Sequence, residues 1–190
     1  MTITDRYKFL VAQVKKREKE VHRFITFLEE ETSWLSAPAS TRFHNDCEQG
    51  LLLHSISVTE TLLKLKEMLY PTIDDESCII VGLFHDVGKV GMPGKPYYLP
   101  NPEMYGIRNR GRKYIVNPSV VFMGLAVRSL FLVSQYIPLT EEEAQAIVYH
   151  DGQYIEENKS VAHREEPLTL LLSYADNWVG SVLERKQNER

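Results

Sequence analysis

Cys78-Ile79-Ile80-Val81-Gly82-Leu83-Phe84 is apolar at nearly every position and ends abruptly on His85-Asp86-Val87-Gly88-Lys89. Asp74 stands before it as an N-cap and Gly88 after it as a natural C-terminal cap, so the spacing predicts a helix. A helix that is apolar almost all round must be enclosed by other elements, which makes it the centre of a core. Gly82, one turn before the His-Asp pair, leaves room for a second helix to come close. The pair itself is the anomaly. Histidine and aspartate are costly to bury without partners, so the two invite a reading as metal ligands. Neighbours on a helix differ by roughly 100° in direction, so both can face one ion only near a helix end or a bend.

The rest of the chain supplies the enclosing helices. Residues from about Thr4 to Glu31 read as one helix, with Phe9, Leu10, Val14, Val21, Phe24, Ile25 and Leu28 inward. Its charge run, Lys15-Lys16-Arg17-Glu18-Lys19-Glu20, reads as a solvated face. A helix from about Leu51 to Leu69 carries Leu51, His54, Val58 and Leu65 on one stripe, so His54 points to the core. Alone, His54 is an ordinary hydrogen-bonded core histidine. A helix from about Ser119 to Tyr136 is interrupted by Arg128, which either snorkels to solvent or pairs with an acid or a phosphate near the site. Thr140-Glu141-Glu142-Glu143 is a capping box for a short helix ending at Tyr149-His150-Asp151-Gly152, a second His-Asp before a glycine. Pro167 opens a last helix whose stripe is Leu168, Leu171, Leu172, Ala175 and Val179, with Asp176 beside it. Alone, Asp176 reads as a cap or a salt bridge. No strand alternation of useful length and no internal repeat occurs. The expected fold is therefore all-α, a bundle of about six main helices in a single domain over residues 1–190.

Residues from Gly91 to Asn117 are irregular. They hold Pro93, Gly94, Pro96, Pro100, Pro102, Gly106 and Gly111 with Tyr97, Tyr98, Tyr105 and Tyr114, and Pro118 follows. A loop this long in a small domain is more often functional than idle. Lys89, Lys95, Arg108, Arg110, Arg112 and Lys113 oppose a single acid, Glu103. The loop reads either as solvated turns or as a lid that brings cations and aromatic rings to an anionic, base-bearing ligand. A net charge of −4 gives no global field for long nucleic acid. Cys47 and Cys78 form no C-x-x-C pair, no apolar run is long enough to span a bilayer, and the N-terminus lacks a secretion signature. A cytoplasmic protein is expected.

Three separate helices each place a polar group on or beside a buried stripe, and His85-Asp86 supplies two at once. Imidazole and carboxylate without thiolate suit Mn, Fe, Zn, Ni, Co or Mg. The pattern His54 … His85-Asp86 … Asp176 resembles the HD-domain metal-dependent phosphohydrolase superfamily, over roughly Arg42 to Glu184. Gly50-Leu51-Leu52-Leu53-His54-Ser55 is similar to its first-histidine helix. Leu83-Phe84-His85-Asp86-Val87-Gly88-Lys89 is similar to the central signature, and Tyr174-Ala175-Asp176 to the closing aspartate. The run Pro38-Ala39-Ser40 … His44 … His54 is most similar to the subgroup that includes HD-type 3′-to-5′ exoribonucleases, without their nucleic-acid-binding domain.

The resemblance implies an HD-like bundle over about residues 42–184, with the helix of about 4–31 packed on it. It implies that His54, His85, Asp86 and Asp176 hold one divalent ion and that Lys89 faces substrate phosphate. Arg42, His44, Lys95, Tyr98, Arg112 and Lys113 are expected to contact substrate, with Arg128 a second cation for developing charge. Two-metal members carry His-Pro where this chain has Asn117-Pro118, and often two histidines where it has His150-Asp151. One tightly held ion is expected. His150 is left to hold a weaker second ion or to position and protonate a phosphate oxygen, with Asp151 assisting. The expected activity is hydrolysis of a phosphate ester of a nucleotide or short oligonucleotide. The alternative is a nucleotide-sensing module on a partly degenerate HD fold.

Overall fold

In the computed structural model, which describes residues 1–41, 45–103, 112–153 and 155–185, one helix forms the axis. This is α4 (Asp75–Phe84), buried at every position from Cys78 to Phe84. The other helices are α1 (Ile3–Val11), α2 (Glu18–Glu31), α3 (Gly50–Leu69), α5 (Leu125–Ser134), α6 (Glu141–Tyr149) and α7 (Pro167–Trp178). Helices α3, α6 and α7 pack on α4, and α7 also packs on α3 and α6. On the remaining side the Phe24 ring of α2 meets Phe84 edge-on at 5.0 Å. Phe24, Leu28, Trp34 and Phe84 are wholly buried. Burying an aliphatic or Phe side chain of this size contributes roughly 1.5–3 kcal/mol. The described residues are thus predominantly helical, as the absence of strand patterning implies, and none of their helices is long and apolar enough to cross a membrane.

The N-terminal segment departs from expectation. It is two helices, not one, with a break over residues 12–17. The break has an electrostatic cause. Glu76, in the first turn of α4, accepts the backbone N–H groups of Lys15 and Lys16 at 2.8 and 2.7 Å, and Arg17 Nε at 2.9 Å. A continuous helix would consume those N–H groups internally. Arg17 also grips both oxygens of Glu143 in α6 at 2.7 Å. The run is therefore more than a solvated face: Arg17 is mostly buried and clamps α4 to α6.

Two other boundaries shift. The helix expected from Ser119 begins only at Leu125, because Asn117 claims the preceding residues for a turn. Its side-chain oxygen accepts from Ser119 N and Oγ at 3.0 and 2.7 Å, and its amide donates to Pro96 O at 2.8 Å. Within the expected irregular loop, β1 (Tyr98–Pro100) pairs antiparallel with β2 (Tyr114–Val116) in the register Tyr98 to Val116. Strands of three residues are too short to show alternation.

The end of α4 is also sharper than expected. The helix stops at Phe84, and Asp86 leaves helical geometry at φ −104°, ψ 8°. A 3₁₀ turn over Val87–Val90 follows, and the left-handed glycine is Gly91 (φ 81°), not Gly88. Gly88 is required for packing instead, since a Cβ there would lie 2.4 Å from Leu125 O. Gly82 does what its position predicts. A Cβ would lie 2.6 Å from Thr59 Oγ1 and 2.9 Å from its Cα, so α3 and α4 approach closely there. That approach brings His54 beside His85.

Candidate metal centre

Three imidazoles are each anchored through Nδ1, two by a backbone carbonyl and one by a carboxylate. Nδ1 of His85 lies 2.8 Å from Gly82 O, and Nδ1 of His150 lies 2.8 Å from Ile147 O. A carbonyl only accepts, so each Nδ1 donates and each Nε2 turns inward carrying its lone pair when the ring is neutral. Nδ1 of His54 lies 2.9 Å from Glu184 Oε2, and its Nε2 lies 3.0 Å from Asp176 Oδ1. The His54 and His85 rings are 5.5 Å apart, and those of His85 and His150 are 4.8 Å apart.

The carboxylates close the cluster. Asp86 Oδ2 lies 3.7 Å from Nε2 of both His54 and His85, and Asp86 Oδ1 lies 3.7 Å from Nε2 of His150. Asp176 Oδ1 lies 3.9 Å from His85 Nε2. Three overlapping triads have ligand atoms within 4.8 Å of one another: His54, His85 and Asp176; His85, Asp86 and His150; His150, Asp151 and Asp176. His85 Nε2 is fully buried with no hydrogen-bond partner among the described residues. An orphaned inward lone pair, two further imidazoles and carboxylates, without thiolate, fit a hard or borderline divalent cation. The possible metal-binding cluster thus contains all four ligands expected from the sequence, and His150 joins them.

The electrostatics separate the members. Burial, with His150 and His54 close by, pushes His85 down to about 4 although Asp86 and Asp176 act against it, so it is neutral. Burial pushes His54 the same way, but Asp176 and Glu184 outweigh it and hold it near 9. His150 is likewise held near 9, chiefly by its bond to Asp86. Burial would raise Asp86, yet Lys89, His85 and His150 hold it well below the usual carboxylate range. Lys89 pairs directly with Asp86, which more than offsets burial and keeps the ammonium charged. Asp151 is raised by burial and is more exposed than Asp86, 41% against 7% at the side chain.

The other expected residues divide. Tyr98 is half-buried and near Lys89, and burial pushes its hydroxyl up to about 12 although Lys89 acts against this. Lys95 and Arg112 are exposed. Lys113 binds Asp46 Oδ1 at 3.1 Å and ties the hairpin to the loop before α3. Arg128 does not snorkel. It is buried, donates to Val121 O, and lies over the Tyr97 ring at 5.8 Å. Those contacts support the hairpin. Arg42 and His44 lie outside the described residues, as do Tyr105, Arg108 and Arg110 of the loop. Asn117 is spent on its turn. Glu184 was not among the expected site residues; in a charged C-terminal stretch it carries no local pattern that marks it. Beside the cluster, a cleft of about 390 Å³ opens between the end of α6 and α7, lined by Tyr149, Gln153, Thr169, Ser173 and Tyr174 among others.

Comparison of the chain with family models, with curated proteins and with solved structures returns no match.

Proposed function

We propose that the chain is an HD-type, divalent-metal-dependent phosphohydrolase acting on a phosphate ester of a nucleotide or short oligonucleotide. The observation that carries this reading is the convergence of three imidazole Nε2 atoms, each anchored through Nδ1, on Asp86 and Asp176. His54, His85, Asp86 and Asp176 would hold the ion. When bound, the ion would supply Lewis-acid polarisation of a phosphoryl oxygen and activation of water.

The chain's own groups do the rest. Lys89, charged and beside Asp86, neutralises negative charge that builds on the phosphoryl oxygens. His150, held protonated at neutral pH in the metal-free chain, can pass its Nε2 proton to a leaving oxygen. Asp151, partly exposed, links that proton to solvent. Tyr97 is occupied by Arg128 and Tyr98. The cleft between α6 and α7 therefore supports base binding better than the hairpin tyrosines do. Its two tyrosine rings offer stacking faces for a flat ring, and Gln153, Ser173 and the carboxylate of Glu165 line it with polar groups.

One observation favours the alternative of a nucleotide-sensing module. Asn117, at the position that the resemblance assigns to a second-ion histidine, is committed to Pro96 and Ser119. A single experiment separates the readings. The purified chain is analysed for metal and screened with manganese against nucleoside mono- and triphosphates, cyclic nucleotides and short oligonucleotides. Product formation with about one ion per chain supports the hydrolase. Tight nucleotide binding without product at any added metal supports the sensor. Full activity in His54→Ala or Asp86→Ala rules out the assigned site.

A further inference from the structure

Helix α7 does not end as an α-helix. After Trp178 it widens into a π turn over Val179–Leu183, closed by the bond from Glu184 N to Val179 O at 2.9 Å. Single π turns inside helices are uncommon and concentrate at functional sites. Here the consequence is geometric. Eight residues of regular α-helix would set Glu184 roughly 80° round the axis from Asp176. A π turn rotates less per residue, so it takes back part of that angle and returns Glu184 toward the face that carries Asp176. The two carboxylates bracket one imidazole: Asp176 meets Nε2 of His54 at 3.0 Å, and Glu184 meets Nδ1 at 2.9 Å. The Glu184 side chain is only 7% exposed. Its other oxygen, Oε1, is buried without a hydrogen-bond partner among the described residues.

His54 also differs from its neighbours. His85 and His150 are anchored by neutral backbone carbonyls, each three residues earlier in the chain. His54 is anchored by a carboxylate 130 residues away. A carboxylate on the distal nitrogen fixes the tautomer and strengthens the imidazole as an electron-pair donor. Among the described residues, no second hydrogen-bond partner accounts for the burial of this acid.

We propose that Glu184 is a positioning residue of the metal centre. It holds His54 with its proton on Nδ1 and Nε2 aimed at the ion, and the π turn is the device that brings it there. This inference rests on the metal-centre reading above.

The test is manganese affinity by competition with a chelator, alongside thermal unfolding of the metal-free chain, for wild type, Glu184→Gln and Glu184→Ala. Glu184→Ala is expected to weaken manganese binding by ~10–100-fold. Glu184→Gln keeps an acceptor for Nδ1–H but not the charge, so it is expected to recover part of that loss while the metal-free melting temperature stays close to wild type. Unchanged affinity in both variants, with wild type binding manganese, overturns the role of Glu184 and leaves the metal centre standing. A lowered metal-free melting temperature in Glu184→Gln with affinity intact marks a purely structural acid and also overturns it. Wild type that takes up no manganese removes the metal reading and this one with it.

Discussion

The ends of α4 and α6 are built alike and charged differently. Each helix stops at a histidine followed by an aspartate, and each histidine donates Nδ1–H to the carbonyl three residues back at 2.8 Å. Each helix carries in its first turn a glutamate held by the same residue, Arg17, which binds Glu76 in α4 and Glu143 in α6. The difference lies in the aspartates and what surrounds them. Asp86 is buried, paired with Lys89, and held far below the carboxylate range, while His85 beside it is neutral. Asp151 is half-open and raised, and His150 is held near 9. One backbone device therefore yields two chemistries: on α4 a fixed ligand pair of neutral imidazole and permanently charged carboxylate, and on α6 a proton-carrying pair. What separates them is burial and the lysine, not the local fold.

The largest effect expected is on metal retention. His85→Ala or Asp86→Ala should lose the ion and drop activity by more than the ~100-fold typical of losing a supporting hydrogen bond. Asp151→Asn should keep the ion while changing the pH profile. Metal analysis of the three variants decides it, and equal metal loss in Asp151→Asn would make the two ends equivalent.

Next in size is the shared clamp. Arg17→Met leaves Glu76 and Glu143 buried without a counter-charge, which should cost about 3–5 kcal/mol, measured by urea unfolding. The clamp also sets the acid limb. Burial would raise both glutamates, but Arg17 and backbone donors bring them below their ordinary 4.5. The unfolded chain then binds protons more readily, so this stabilisation is complete above about pH 4.5 and is lost as pH falls through the lowered folded values. Midpoints measured from pH 7 down to 3 should fall in wild type and flatten in Arg17→Met. An equal acid slope in both would place the effect elsewhere.

Two smaller changes test the residue three before each histidine. Gly82→Ala forces a Cβ against Thr59 and should cost ~1–3 kcal/mol, a fall of roughly 2–10 °C in melting temperature. It should also weaken metal binding, because it pushes α3 and His54 away. Ile147→Val, at the matching place in α6, should cost only ~0.5–1.5 kcal/mol and leave metal content unchanged. Metal loss in Ile147→Val would show that α6 shapes the ligand site as strongly as α4 does.

Much of this was legible in the residues. The apolar run before His85 announced the axis. Gly82 announced a close approach, and the capping box at Thr140 forms as written, with both reciprocal bonds. His54, His85, Asp86 and Asp176 could be grouped because each is a polar group on or beside an apolar stripe. What stayed hidden depends on partners distant in sequence. The break at residues 12–17 follows from Glu76, some sixty residues on. Arg128 was open between solvent and site until the hairpin that covers it was in place. Gly88 looked like a cap because helix-end glycines usually are; its actual neighbour, Leu125 O, lies on another helix.

The sequence by itself determined that helices surround α4 and that imidazole and carboxylate meet at one end of it, because periodicity and the cost of burying polar groups are local properties of a chain. Only the tertiary structure decided how those groups are charged and held. Glu184 reaches His54 through a π turn, Arg17 binds two helices at once, and Asp86 differs from Asp151 in burial and in its lysine. Desolvation, ion pairing and tautomer are set by three-dimensional neighbours, and no spacing along the chain encodes them.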